Sequence, residues 1–220
     1  MERTVKPMIN RMSREYIASL PALRFKGDIV TVRTEQEAER CASVLMKHEM
    51  IGFDTESRPS FRKGVMYPVS LLQLSTEHKA YLFQLGTTGI SSAMKDLLES
   101  EDTKKVGIGI RDDIKKLKEL NTFDEGGFID LGEMASAKGI IQFGARSLAA
   151  RYLGMKLVKT MQKTNWARSE LTRKQRVYAA TDAWVCLKLY PKVVEDDTDY
   201  RQFEEEECSS REESSVGDRG

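Results

Sequence analysis

Three strand-like runs in close succession, Met50–Thr55, Pro68–Leu74 and Ala80–Gln84, restrict this chain more than any other feature. A helix over Ile90–Glu99, a strand over Lys105–Ile108 and a helix over Ile110–Leu120 follow them. Next come a brief extended segment at Phe128–Asp130 and helical stretches near Leu131–Lys138 and Ser147–Leu153. A strand at Ile29–Val32 and a helix at Glu35–His48, entered from Thr34, precede them all. Strands in a row, then strands alternating with helices, predict an α/β domain on a mixed sheet.

The best-marked helix runs from Arg173 to Tyr190. Thr172 and Gln175 have capping-box spacing, so hydroxyl and amide each satisfy an exposed backbone N–H. Pro191 is expected to end it. Val177, Ala180, Trp184 and Leu187 make one apolar stripe, and Tyr178, Asp182, Val185 and Leu189 border a second. A helix with two such stripes is packed on two sides.

Outside the periodic region, residues 1–27 read as an irregular arm with a short helix near Ser13–Leu20, ended by Pro21. Residues 195–220 lack apolar periodicity and carry 11 acidic residues against 3 basic, which predicts a disordered acidic tail. The remaining 194 residues then carry a net charge of +9 against −8 for the tail. A basic body suits a phosphate backbone as partner. No apolar run approaches membrane-spanning length, and the start, MERTVKPMIN, has no signal-peptide core, so no membrane partner is expected. Cys41, Cys186 and Cys208 have no metal spacing and cannot all pair, which suggests free thiols in a reducing cytoplasm.

The chemistry-bearing residues fall in three segments. In Ile51-Gly52-Phe53-Asp54-Thr55-Glu56, strand alternation puts Ile51, Phe53 and Thr55 on one face and Asp54 with Glu56 on the other. Two adjacent carboxylates at the end of an apolar strand repel each other, and a divalent cation relieves this because hard ions prefer carboxylate oxygens. Taken alone, Asp-X-Glu is common and reads equally as a strand ending in solvent. Within Val106–Leu117, at about 100° per residue, Ile110, Ile114, Leu117 and Leu120 form an apolar stripe. Asp113 lies inside that stripe and Asp112 points away, so Asp113 needs a compensating partner, either a cation of the protein or a metal. Gly107 and Gly109 lack the third glycine of a dinucleotide fingerprint. In Tyr178-Ala179-Ala180-Thr181-Asp182, Tyr178 and Asp182 share one helical face, an arrangement that by itself also suits a structural pair. Four carboxylates that solvent exposure explains poorly fit two metal ions about 3.5–4 Å apart, as used in phosphoryl chemistry.

F-D-T-E, G-I-G-I-R-D-D-I-K-K-L and Y-A-A-T-D, in this order, resemble the three exonuclease motifs of the DEDD superfamily. Trp166, Leu171-Thr172, Gln175, Tyr178 and Asp182 look like the RNase D group, which includes the Werner syndrome helicase exonuclease domain. The resemblance covers roughly Asp28 to Tyr190, with Asp112 standing where a glycine is usual, and it delimits an exonuclease domain at 28–194. It implies an RNase H-like fold with a mixed five-stranded sheet flanked by helices, and Tyr178 in place of a histidine implies the tyrosine-type branch. The implied activity is 3′→5′ exonucleolytic hydrolysis of DNA or RNA with two divalent ions, Mg²⁺ or Mn²⁺, releasing nucleoside 5′-monophosphates. The implied metal ligands are Asp54, Glu56, Asp113 and Asp182, with Asp54 bridging, while Tyr178 orients the attacking water. A phenol with a pKa near 10 is a poor base at neutral pH. The implied partner is single-stranded or 3′-ended nucleic acid, with Arg58, Arg62, Lys63 and Arg168 as candidate phosphate contacts. Residues 146–176, with nine basic residues against one acidic, are candidates to line the strand entry. Two other classes fit parts of the sequence: a non-catalytic nucleic-acid-binding module and a scaffold acting through its acidic tail.

Overall fold

A computed structural model describes residues 11–60, 62 and 64–203. The elements in chain order are α1 (Arg14–Ser19), β1 (Asp28–Val32), α2 (Glu35–Leu45), β2 (Met50–Ser57), β3 (Val69–Ser75), β4 (Lys79–Gln84) and α3 (Leu85–Thr88). They continue with α4 (Ser92–Glu99), β5 (Lys104–Gly107), α5 (Arg111–Leu120), β6 (Phe128–Asp130), α6 (Leu131–Ala137), α7 (Ala145–Leu153) and α8 (Arg173–Glu195). No helix among the described residues is long and apolar enough to cross a membrane.

The sheet is mixed, in the order β1-β4-β3-β2-β5-β6. β2, β3 and β4 form an antiparallel meander, while β1 joins β4, β5 joins β2 and β6 joins β5 in parallel. The sheet therefore has six strands where the resemblance implies five. The sixth, β6, is three residues long, too short to be a strand without β5 beside it.

Each face of the sheet carries its own core. Ile51, Phe53, Leu72, Leu74 and Phe83 pack with α2, α4 and α5 on one side. Leu71 and Leu82 meet Tyr178 and Ala179 of α8 on the other, and Val106 joins α6, α7 and α8 there. Alternation along β2 thus turns Gly52, Asp54 and Glu56 toward α8. A Cβ at Gly52 would lie 2.0 Å from the Ala183 carbonyl oxygen, so glycine is what lets α8 cross β2 closely enough to bring their carboxylates together.

Two expectations about helices change. α8 does not stop at Pro191 but runs to Glu195. The missing N–H removes one helical bond near the end, and the fully buried Val193 gives the last turn tertiary contacts that outweigh it. In α5, Ile110 is the N-cap and Leu120 is 41% exposed, so only Ile114 and Leu117 of the helix proper reach the core.

The margins pack as well. Leu23 and Phe25 are buried, with the Leu23 N–H bonded to the Lys156 carbonyl at 2.9 Å and the Phe25 N–H to Thr181 Oγ1 at 3.0 Å. Beyond α8, Asp196 accepts hydrogen bonds from the hydroxyls of Tyr152 at 2.7 Å and Tyr200 at 2.9 Å, and Tyr200 is buried. Residues 196–203, which the sequence assigns to the acidic tail, thus lie against α7. Residues 204–220 and Cys208 are outside the described residues.

Candidate active site

β5 pairs with β2 only through Met50–Gly52 and then turns into α5, leaving the second half of β2 without a neighbour on that side. The gap lies at the carboxyl ends of two parallel strands, next to the antiparallel β3, where open α/β sheets form crevices. A cavity of about 930 Å³ occupies it, lined by Asp54, Glu56, Asp113, Tyr178 and Asp182 among others.

Asp54 and Glu56 come from one face of β2, and Asp182 from α8 across it. Their ligand oxygens lie within 4.8 Å of one another. Asp113 stands in the first turn of α5, where a carboxylate is favoured by the helix dipole. It is held from the opposite face of β2, accepting a 2.5 Å hydrogen bond from Thr55 Oγ1. The structure thus brings Asp54, Glu56 and Asp182 into one group and sets Asp113 beside it on a different support.

Burial, then the Asp182 charge, pushes Asp54 well above the usual carboxylate range. Burial and Asp54 push Glu56 up to about 9. Burial raises Asp113, opposed by the Thr55 hydrogen bond, and burial raises Asp182 although the Lys159 ammonium pulls it down. Burial and mutual repulsion both oppose ionisation of these acids, and a divalent cation bound by their oxygens would supply the positive charge the site lacks. The donor set, hard oxygens only, fits a hard divalent cation.

This has a consequence for stability. Carboxylates with raised pKa bind protons in the folded chain that the unfolded chain has released, so stability falls as pH climbs between the two values. In EDTA the melting temperature should drop from about pH 5 to about pH 9, the window set by the Glu56 shift. Mn²⁺ should flatten the drop, and Glu56→Gln should make it shallower without metal. A melting temperature in EDTA that rises or stays level over that range would contradict the reading.

Tyr178 is buried, its ring against the fully buried Trp166 with centroids 5.8 Å apart. Its hydroxyl lies beside Asp182, and burial, then the Asp182 charge, pushes its pKa upward. Gln175 fastens this region: its amide bonds Thr164 Oγ1 at 3.0 Å and the Asn165 carbonyl at 3.2 Å while its oxygen caps α8. The spacing Trp166…Thr172…Gln175…Tyr178 is therefore a clamp that orients the tyrosine.

Several residues at the site carry no signal in a linear reading. Lys159 reaches in from the segment after α7, its Nζ 3.2 Å from Asp182 Oδ2 and 5.6 Å from the Tyr178 ring centroid. Asp130, at the end of β6, accepts the Gly109 and Ile110 N–H groups at 2.9 Å each and so fixes the turn that starts α5. Gly109 has φ +71°, a conformation that suits glycine. Arg111 and Arg146 also line the cavity, and the basic excess of 146–176 is the only hint in the sequence of Lys159 and Arg146. By contrast, Arg58 lies over the Tyr67 ring at 4.8 Å, Arg62 is exposed and Arg168 lines a separate small cavity. None of these three lines the site, and Lys63 is outside the described residues.

The profile of a family described as 3′-5′ exonuclease matches residues 29–196. The chain belongs to the 3′-5′ exonuclease family. Relatives in this family include a bifunctional 3′-5′ exonuclease/ATP-dependent helicase of Mus musculus, 33% identical over 190 residues, 80% of this chain and 13% of that protein. A 3′-5′ exonuclease of Arabidopsis thaliana is 32% identical over 201 residues, 84% of this chain and 69% of that one. The chain thus spans a small part of the first relative and about two thirds of the second. Among solved structures, the Aedes aegypti Nibbler EXO domain matches with TM-score 0.70 and 22% identity, over 82% of this chain and 97% of that one. Escherichia coli RNase D matches with TM-score 0.68 and 22% identity, over 78% and 44%. These last two likenesses show a shared RNase H-like fold.

Proposed function

We propose that this chain is a metal-dependent 3′→5′ exonuclease that hydrolyses DNA or RNA from the 3′ end and releases nucleoside 5′-monophosphates. The observation that carries the reading is the convergence of Asp54, Glu56 and Asp182 within 4.8 Å, with the Tyr178 hydroxyl beside Asp182. Asp54, Glu56 and Asp182 would hold one divalent ion, and Asp113 with Asp54 a second. When bound, such ions lower the pKa of the attacking water and stabilise the charge on the departing oxygen. In the reaction the water oxygen bonds to phosphorus, the bond to the 3′ oxygen breaks, and that oxygen leaves as a hydroxyl. The Tyr178 phenol stays protonated and orients the water by hydrogen bonding. Lys159 offers an ammonium next to the carboxylates and to the path of the phosphate. An RNase D of Trypanosoma brucei solved with RNA U12 has this fold, with TM-score 0.70 and 19% identity over 80% of this chain and 65% of that one.

The test is a pair of single-stranded DNA and RNA oligonucleotides of one sequence, labelled at the 5′ end and incubated with Mg²⁺ or Mn²⁺. Stepwise shortening from the 3′ end, abolished by EDTA, is expected for at least one of them. Internal cutting, or no shortening with either metal, would refute the proposal. On the preferred substrate Tyr178→Phe should lower kcat by about 10²-fold, in the range for losing an acid–base or orienting group, with KM nearly constant. A rise in KM at constant kcat would make the hydroxyl a substrate contact instead.

A further inference from the structure

A second cavity of about 1120 Å³ opens beside the first, and the two share Tyr178 and Asp182 in their walls. Their electrostatics are opposite. Seven carboxylates and three cations line the first. Arg24, Lys26, Arg173, Lys174 and Arg176 line the second, against two acids, Asp28 and the shared Asp182.

The two cationic walls have separate structural origins. One is the arm before β1, which runs extended along α8. Leu23 and Phe25 turn inward, the latter packing on Trp184 with ring centroids 5.6 Å apart. The alternation of an extended chain then turns Arg24 and Lys26 out to solvent. The facing wall is the first turn of α8, where Arg173, Lys174 and Arg176 follow the Thr172 cap. Among the described residues none of the five is in an ion pair. Five cations without a carboxylate partner along one groove call for a polyanion.

We infer that this groove binds the sugar-phosphate backbone of single-stranded nucleic acid upstream of the bond being cut. The inference rests on the exonuclease reading and adds to it the route of the strand. The acidic first cavity suits metal and one terminal nucleotide but repels the phosphates that follow, whereas the basic groove that shares Tyr178 and Asp182 attracts them. The arm, which the sequence sets apart from the domain, thereby becomes half of a binding surface.

Fluorescence anisotropy of a labelled 12-nucleotide strand in EDTA, titrated with salt, tests this on the full chain. The probes are Arg24→Gln with Lys26→Gln on the arm, Arg173→Gln with Lys174→Gln on the helix, and Arg40→Gln with Lys47→Gln as a control for net charge. The control residues lie exposed on and just after α2, across the sheet from α8. Each groove pair should weaken binding by roughly fivefold to tenfold at low salt and make the salt slope shallower by about 1.4, the value for two contacts with a single strand. The two groove pairs together should add, and the control should match wild type. Circular dichroism establishes that every variant is folded. Groove variants that bind like the control would overturn the inference. Cutting is read separately, with a dinucleotide and the 12-mer in Mn²⁺. If wild type cuts neither, the exonuclease reading fails, while the anisotropy still decides the groove. If it cuts both and the groove pairs change nothing, only the groove is lost.

Discussion

Asp54→Ala should reduce the rate of oligonucleotide hydrolysis by about 10³-fold or more and leave the metal-free protein at least as stable as wild type. Asp54 lies within 4.8 Å, oxygen to oxygen, of both Glu56 on its own strand and Asp182 on the facing helix. In the proposed mechanism it would help hold both ions, so its loss would remove several kcal/mol of charge stabilisation, and about 4 kcal/mol is a factor of 10³. Stability moves the other way. Burial and the neighbouring acids disfavour the ionised form at this position, so deleting the group removes the cost of its proton uptake on folding instead of breaking a supporting contact. Calorimetric titration with Mn²⁺ should show weakened or lost binding, and melting in EDTA should occur at the wild-type temperature or above. Near-normal turnover by purified Asp54→Ala, or unchanged Mn²⁺ affinity, would show that the ions are held elsewhere.

Asp113→Asn should lower kcat by about 10²-fold to 10³-fold, whereas Asp112→Asn should stay within about threefold of wild type. Both residues lie in the first turn of α5 and on the cavity wall, so the helix dipole does not separate them. Burial and partner do. Asp112 is exposed, while Asp113 is half-buried and fixed by the 2.5 Å bond from Thr55. An asparagine at 113 keeps an acceptor for that hydroxyl but loses the charge that would face a metal, so folding should survive and catalysis should not. Thr55→Val gives a graded check, since it leaves the carboxylate and removes the bond that aims it. Equal losses at 112 and 113, or the reverse order, would mean that the neighbouring carboxylate is the ligand.

Pairings that depend on a short repeat are legible in the amino-acid order. Parity along β2 puts Asp54 and Glu56 on one face, and the structure turns that face to α8. Helical spacing puts Tyr178 and Asp182 together and separates Asp113 from Asp112. The clamp from Trp166 to Tyr178 is visible as spacing, although its contacts are not. Lys159 and Asp130 are not legible, because each stands outside a strongly periodic element and side-chain direction has no rule there. Their partners lie 23 and about 20 residues away in sequence. Arg58, Arg62 and Arg168 are candidates through nearness along the chain, and nearness along the chain does not put them on the cavity wall.

The strands at the sheet's centre and the faces on which the acidic residues stand follow from backbone repeats of two and 3.6 residues, and the family motifs are read from residue identity. Tertiary structure alone decided that α8 crosses β2 at Gly52, that Lys159 reaches Asp182, and that the arm lies along α8 to complete a basic groove. It also made β6 a strand and carried α8 past Pro191. Each of these depends on packing between segments distant in the chain, whose energies no local pattern encodes.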